Sequence, residues 1–274
     1  MKGQSKAVVF LGGGRITGAL AAGLRLAERR LGKDERAIVV YDRHPEKLRA
    51  LRRESRVEVA RDLKSAIERA DMLIVAVRPG SVKDMLAQVE ACGAVLPRLC
   101  ISLAAGIPFK NLRAWTESGS VRWARAMPSP VCRIGRGLTP VCFEREVAKA
   151  DRVRVRKFFE LVGPVLDLRE AQMDAITATH SPTHGYHALA ALAKAAQGAG
   201  LDRKTALIAA AHALSDGIVY WRGSGQSLDE LLEEAATPGG IAAATMAAMD
   251  RSGYGRAVAL GVQAGIKRAQ KNAR

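Results

Sequence analysis

Two groups of residues in this 274-residue chain are placed to do chemistry. The first is the run Leu11-Gly12-Gly13-Gly14-Arg15-Ile16-Thr17-Gly18, which follows a β-branched apolar stretch and leads into an alanine-rich helical pattern. Strand, tight turn and helix in that order make an anion site, because the first N–H groups of a helix have no partner within it. Gly12 permits the turn, and Gly14 lets the backbone approach a pyrophosphate with no Cβ between them. Arg15 and Ile16, which open the helix, belong to the same candidate site. The third glycine of G-x-G-x-x-G falls on Thr17, so the fingerprint is incomplete and an ordinary loop is the competing reading. The second group lies in the last third of the chain. Three of the five histidines, His180, His184 and His187, fall within eight residues, with Thr183 and Tyr186 among them. Ser181-Pro182 reads as a helix start just before them, an N-cap and an N1 proline. The histidines are either hydrogen-bonded structural residues or a proton donor titrating near neutrality. A metal site lacks a nearby cysteine or carboxylate to complete a ligand set. Thr237-Pro238-Gly239-Gly240 precedes another helical run and offers N–H groups with a hydroxyl beside them, which suits a carboxylate. A plain helix-capping turn is the alternative there.

These residues need elements to position them. Apolar runs at 8–11, 37–41, 57–60, 72–77, 99–104, 121–126 and 138–143 read as strands, with helical periodicity between the earlier ones. The continuous run at 72–77 is that of a strand buried on both faces. Alternating strands and helices predict right-handed βαβ units and a doubly wound, Rossmann-type sheet. Ligands of such sheets bind beyond the carboxyl ends of the strands. Asp42, Arg43, Val77, Arg78, Pro79, Ala104, Ala105, Gly106, Met127 and Ser129 stand at those ends and extend the candidate crevice. Asp42 favours NAD, as an acceptor for the adenosine ribose; Arg43 and Arg15 favour NADP, as partners of a 2′-phosphate. Both cofactors therefore remain open. From 151 onward helical periodicity dominates, apart from a short strand at 165–166. The expected division is a dinucleotide-binding domain at 1–164 and an all-α domain at 165–274. Small residues such as Ala188, Ala190, Ala191 and Ala195 let the later helices approach closely, and the long apolar faces predict a two-fold homodimer or a larger homo-oligomer.

Composition sets outer bounds. Hydrophobic residues make up 48% of the chain and aromatics 4%, which supports a large, helix-rich core. The net charge is +16, and residues 1–140 carry 26 Lys+Arg against 13 Asp+Glu. That field reads first as a basic solvated surface, and it also suits anionic cofactors. Nucleic acid is disfavoured, because no stacking aromatics are interleaved with the basic residues. No apolar run approaches the roughly 18 residues of a membrane span, and Met1-Lys2-Gly3-Gln4-Ser5-Lys6 leads straight into a strand with no signal peptide pattern. A cytoplasmic protein is expected. Cys92, Cys100, Cys132 and Cys142 show no metal-type spacing and read as core residues.

An ordered series adds to this. Gly12-Gly13-Gly14-Arg15-Ile16-Thr17-Gly18-Ala19, Ala76-Val77-Arg78-Pro79, Ser102-Leu103-Ala104-Ala105-Gly106-Ile107, Arg125-Ala126-Met127-Pro128, Asp174-Ala175-Ile176-Thr177-Ala178 and Thr237-Pro238-Gly239-Gly240 occur in that order. The series resembles the pyrroline-5-carboxylate reductase family over nearly the full length. The resemblance implies a Rossmann domain, a helical dimerisation domain, and reduction of a cyclic imine carboxylate, pyrroline-5-carboxylate, to proline with NAD(P)H. It also implies that His180, Thr183, Thr237, Gly239 and Gly240 contact substrate, with His184, Tyr186 and Thr237 as catalytic candidates and no metal. The chain departs from the family at three places. Ser129 stands where the family has an asparagine and has less hydrogen-bonding capacity. The stretch Thr179-His180-Ser181-Pro182-Thr183-His184-Gly185-Tyr186 keeps only the family tyrosine. Ala242 replaces a threonine that would bond the imine. Two alternatives follow: a reductase of another cyclic imine or ketimine, and a non-catalytic NAD(P)-binding protein. A β-hydroxyacid dehydrogenase needs a helical lysine, and Lys194 lacks the glycine-rich lead-in for that role.

Overall fold

The computed structural model describes residues 6–116 and 119–273, so the reading of residues 1–5 lies outside the described residues. The chain forms two compact units, residues 1–180 with 265–274, and residues 181–264.

The first unit is built on an eight-stranded sheet of order β3-β2-β1-β4-β5-β6-β7-β8. Its strands are β1 (Ala7–Leu11), β2 (Ile38–Tyr41), β3 (Glu58–Val59), β4 (Ala70–Val75), β5 (Leu99–Ser102), β6 (Arg122–Ala126), β7 (Thr139–Phe143) and β8 (Val165–Asp167). The strands from β3 to β6 are parallel; β7 runs antiparallel to β6, so the sheet is mixed. β7 follows β6 through only a short 3₁₀ turn, Pro130–Ile134, which is too brief for the crossover that a parallel neighbour requires.

Side chains alternate across the sheet and build two cores. Val9, Leu11, Leu73 and Val75 face one core, where α3 (Leu63–Glu68), α4 (Val82–Ala91) and α5 (Phe109–Ala114) contribute Ala66, Leu86 and Leu112. Phe10, Met72 and Ile74 face the other, with Leu20 and Leu24 of α1 (Arg15–Leu31), Leu48 of α2 (Pro45–Ser55) and Phe158 of α6 (Lys149–Glu160). The period of two in each strand makes this division, and helices on both faces complete the doubly wound layers.

The division into units does not fall at residue 165. β8 pairs with β7 through Thr139↔Val165 and Val141↔Asp167, so it completes the sheet. The following helix α7 (Met173–Thr179) buries Met173 in the first core. The second unit holds α8 (Thr183–Gly198), α9 (Arg203–Ser224), α10 (Leu228–Ala235), α11 (Ile241–Arg251) and the start of α12 (Tyr254–Asn272). α8 and α9 pack along one another, with Ala193, Ala206 and Ala210 buried between small-residue faces. The end of α12 belongs to the first unit.

Candidate functional site

The glycine turn has the shape that its sequence demands. Gly12 follows β1 at φ +117°, and its N–H donates to the Tyr41 carbonyl at 2.7 Å. A Cβ at Gly12 would lie 2.7 Å from the Ala76 carbonyl oxygen, so only glycine fits between β1 and the end of β4. Gly14 differs: its φ is −79°, and a Cβ there would meet no protein atom within 4 Å. It is the N-cap of α1 and supplies no side-chain bond, while the first turn carries no acidic residue. The leading N–H groups of a 17-residue helix therefore face an open approach, the arrangement that binds phosphate.

Thr17, at the missing third glycine, is fully buried and donates its hydroxyl to the Gly12 carbonyl at 2.6 Å. The turn is thus fastened where the fingerprint is degenerate. Close helix approach is supplied six residues later, at Gly23, where a Cβ would lie 2.1 Å from the Cys132 carbonyl oxygen. Neither role was readable from the motif; a buried hydroxyl within one turn of the glycines was the available signal for Thr17.

Asp42 at the end of β2 holds backbone. One carboxylate oxygen accepts the Gly13 N–H at 2.7 Å and the other accepts the His44 N–H at 2.9 Å. The second bond is an Asx turn leading to Pro45 at the start of α2. Lys47 Nζ lies 3.8 Å from the same carboxylate. Arg43 is exposed, and its Nε donates to the His44 ring at 3.3 Å. Arg15 is exposed and Ile16 half-buried beside Gly14.

The other expected crevice residues follow the strand ends. Val77, Arg78 and Pro79 come after β4, with Arg78 exposed. Ala104, Ala105 and Gly106 come after β5, where the Ala105 carbonyl accepts Asn272 Nδ2–H at 3.1 Å. A Cβ at Gly106 would lie 2.0 Å from the Ala269 carbonyl oxygen. The last turns of α12 therefore cover this turn, a contact between positions more than 160 residues apart that no local pattern shows. After β6, Met127, Pro128 and Ser129 are buried; Ser129 Oγ accepts the Val131 N–H at 3.3 Å, capping the short turn.

His180 ends α7 with its ring nitrogens 2.7 Å from the Ile176 carbonyl and 2.8 Å from the Met127 carbonyl. Both nitrogens are engaged by backbone, which leaves neither for a ligand in this arrangement. In the second unit, Thr183, His184 and Tyr186 are exposed on the first turn of α8. The helix begins at Thr183 rather than at Pro182, with the Ser181 hydroxyl accepting the Thr183 N–H at 3.3 Å. Thr237 and Gly239 are exposed, and Gly240 is the N-cap of α11, which has no side-chain cap.

Electrostatics sort reactive groups from structural ones. Burial pushes the thiols of Cys132 and Cys142 up to about 12, and that of Cys100 up as well, so these sulfurs are inert core groups. Arg125, buried in β6, pairs with Glu170 at 3.1 Å and Asp174 at 3.9 Å, tying α7 to the sheet. Among the described residues, no group of three or more His, Cys, Asp or Glu side chains is arranged to hold a metal ion.

A mostly parallel sheet with an open glycine turn, followed in the chain by a helical unit, is the arrangement of a dinucleotide-dependent oxidoreductase. Residues 7–106 match the family model described as NADP oxidoreductase coenzyme F420-dependent, and residues 170–272 match that described as pyrroline-5-carboxylate reductase dimerisation. The chain is 28% identical to the pyrroline-5-carboxylate reductase of Mycobacterium tuberculosis, over 96% of each chain. Its fold matches the Plasmodium falciparum pyrroline carboxylate reductase with NADP bound (TM-score 0.85, 20% identity, 98% of each chain). It also matches the enzyme of Streptococcus pyogenes (TM-score 0.86, 21% identity, 97% of this chain and 99% of that one). The similarity to pyrroline-5-carboxylate reductases thus runs over nearly the whole chain, and residues 170–272 match that family's dimerisation region.

Proposed function

We propose that the chain reduces the ring C=N bond of pyrroline-5-carboxylate with NAD(P)H, giving proline. The observation that carries this reading is the open backbone at Gly14, above a turn that only glycine can form at Gly12, in a chain that aligns over 96% of its length with a pyrroline-5-carboxylate reductase. Bound dinucleotide would supply the hydride. The protein's part is to hold the two reacting carbons close and aligned. An imine that is already protonated needs no strong acid from the protein.

In this reading Gly12, Gly14, Arg15 and Ile16 take the pyrophosphate, and Val77–Pro79, Ala104–Gly106, Met127 and Ser129 line the rest of the dinucleotide site. With both Asp42 oxygens holding backbone amides, Arg43, His44 and Lys47 form the polar surface beside it, which suits a 2′-phosphate and favours NADP. Thr237, Gly239 and Gly240 bind the substrate carboxylate at the uncapped start of α11. Thr183, His184 and Tyr186 are the donors that compensate for the methyl group of Ala242.

A homodimer is part of the same reading. In the second unit the fully buried apolar side chains are only alanines, among the described residues, while Ile218, Val219, Tyr220 and Trp221 of α9 are exposed by 45–68%. An exposed run of four large apolar residues needs cover, and a second copy of the matched dimerisation domain supplies it.

The test follows absorbance at the nicotinamide band with pyrroline-5-carboxylate beside a six-membered cyclic imine carboxylate. Turnover of pyrroline-5-carboxylate is expected; faster turnover of the larger ring would change the substrate. Dinucleotide binding without oxidation on either would leave a binding protein.

A further inference from the structure

The ring of His180 sits between two hydrogen-bond acceptors. Nδ1 is 2.7 Å from the carbonyl of Ile176, and Nε2 is 2.8 Å from the carbonyl of Met127. A neutral imidazole has one N–H and one lone pair, so it satisfies one carbonyl and turns its lone pair on the other. The imidazolium has two N–H groups and satisfies both.

The elements around α7 contribute a helix C-terminus and several basic side chains. Ile176 is in the last turn of α7, and its carbonyl also accepts the His180 backbone N–H at 2.9 Å. Carbonyls at a helix C-terminus carry the negative end of the helix dipole and attract a cation. Arg125 of β6 is already paired with Glu170 and Asp174 beside α7. The thiol of Cys142 on β7 is pushed up to about 12 by burial, so it brings no charge. The end of α12, which packs on Ala178 at Gly265, carries Lys267, Arg268 and Lys271. Among the described residues no carboxylate lies within ion-pair distance of the ring, and its hydrogen bonds are to these two carbonyls.

The Met127 end of the contact bears on the site. Met127 directly follows β6, its N–H donates to the Pro140 carbonyl at 2.9 Å, and its carbonyl points to His180. The Ser129 N–H donates to the Leu138 carbonyl at 3.1 Å. The segment from Met127 to Ser129 is therefore held by β7 on one side and by His180 on the other.

The geometry points to His180 as a pH-dependent clamp, a positioning residue whose ring bridges the Met127 carbonyl and the Ile176 carbonyl of its own helix, making both bonds when cationic and one of the two when neutral. Its bearing on catalysis rests on the reading above, in which this segment lines the dinucleotide site. Raising pH through the histidine titration removes one bond and loosens the segment, so dinucleotide affinity falls on the alkaline side.

The experiment uses the full chain over about pH 5.5 to 8.5, the range in which histidine titrates. Ring ¹⁵N spectra, with His180→Gln identifying the signal, report protonation; backbone amides of Ser129 and Val131 report the segment; fluorescence titration reports NADPH affinity. We expect N–H on both ring nitrogens on the acid side and Ser129 and Val131 signals that move with the His180 midpoint. The NADPH dissociation constant should rise about threefold to tenfold across that step, the scale of one hydrogen bond, and His180→Gln should lack this step. Amide signals that ignore the His180 midpoint, or a variant whose affinity follows the wild-type pH curve, would overturn the clamp. If His180→Gln folds poorly, the wild-type amide curves decide alone. Intact amide and affinity curves in a protein that reduces no imine would sink the reductase reading and support the clamp.

Discussion

Replacing Gly14 by alanine separates folding from ligand binding, because the added methyl group would meet no protein atom within 4 Å. The backbone at Gly14, φ −79° and ψ −176°, is extended and open to alanine. Alanine is the poorer N-cap, but it also restrains the unfolded chain, and these effects oppose one another at about 0.5–1 kcal/mol each. Gly14→Ala should therefore leave the urea midpoint within about 1 kcal/mol of wild type. A pyrophosphate approaching the start of α1 would meet the methyl group and lose hydrogen bonds to a charged partner, each worth about 1.5–3 kcal/mol. NADPH affinity should fall about 10- to 100-fold, at 1.4 kcal/mol per factor of ten. Gly12→Ala is the control with the opposite signature. Its Cβ would stand 2.7 Å from the Ala76 oxygen at φ +117°, so it should unfold about 2–5 kcal/mol more readily, from backbone strain and overpacking together. Equilibrium denaturation and fluorescence titration on the same samples give both quantities. A stable Gly14→Ala protein with wild-type NADPH affinity would refute the placement of the dinucleotide at this turn.

Three further outcomes are expected. Arg43→Ala should weaken NADPH binding by about 1.5–3 kcal/mol through loss of a charge-assisted phosphate bond, and should leave NADH binding almost unchanged; equal losses for both would remove Arg43 from the 2′-phosphate. Glu28→Gln should cost about 3 kcal/mol at neutral pH, because this buried carboxylate accepts bonds from Arg25 at 2.8 Å and Arg36 at 2.7 Å. Burial raises the Glu28 pKa, but these bonds outweigh it and hold the carboxyl below its usual value, so the stabilisation is complete above the ordinary carboxylate range and is lost as pH falls through the lowered value. Urea midpoints of wild type and variant should therefore converge in acid, and a gap that persists at low pH would show a packing effect instead. His184→Ala should lower turnover by about 10- to 10⁴-fold if it is the general acid, and Ala242→Thr should partly restore it; unchanged turnover in the single variant would make His184 an ordinary helix-start residue.

The layout of the sheet and the kind of site were legible in the sequence because both are written in local patterns. A β-branched run into Gly12-Gly13-Gly14 has few physical solutions, and the continuous apolar stretch around Leu73-Ile74-Val75 has to be a strand covered on both faces. The ordered motifs from Gly12 to Gly240 carried the resemblance to pyrroline-5-carboxylate reductases. What the patterns left out depends on who meets whom. Asp42 reads as a ribose acceptor, and only the fold shows that its two oxygens also hold the amides of Gly13 and His44. Gly106 reads as a turn residue until the Ala269 carbonyl is found against it. The compact units divide at 180 and not at 165, because β8 pairs with β7 and α7 buries Met173 in the first core, pairings that helical periodicity alone cannot register. His180 reads as a candidate for substrate, and only the approach of the Met127 carbonyl from another strand engages its second nitrogen. Local spacing determines which backbone conformations are available; the partner of each polar atom is decided by long-range packing, which brings together groups far apart along the chain.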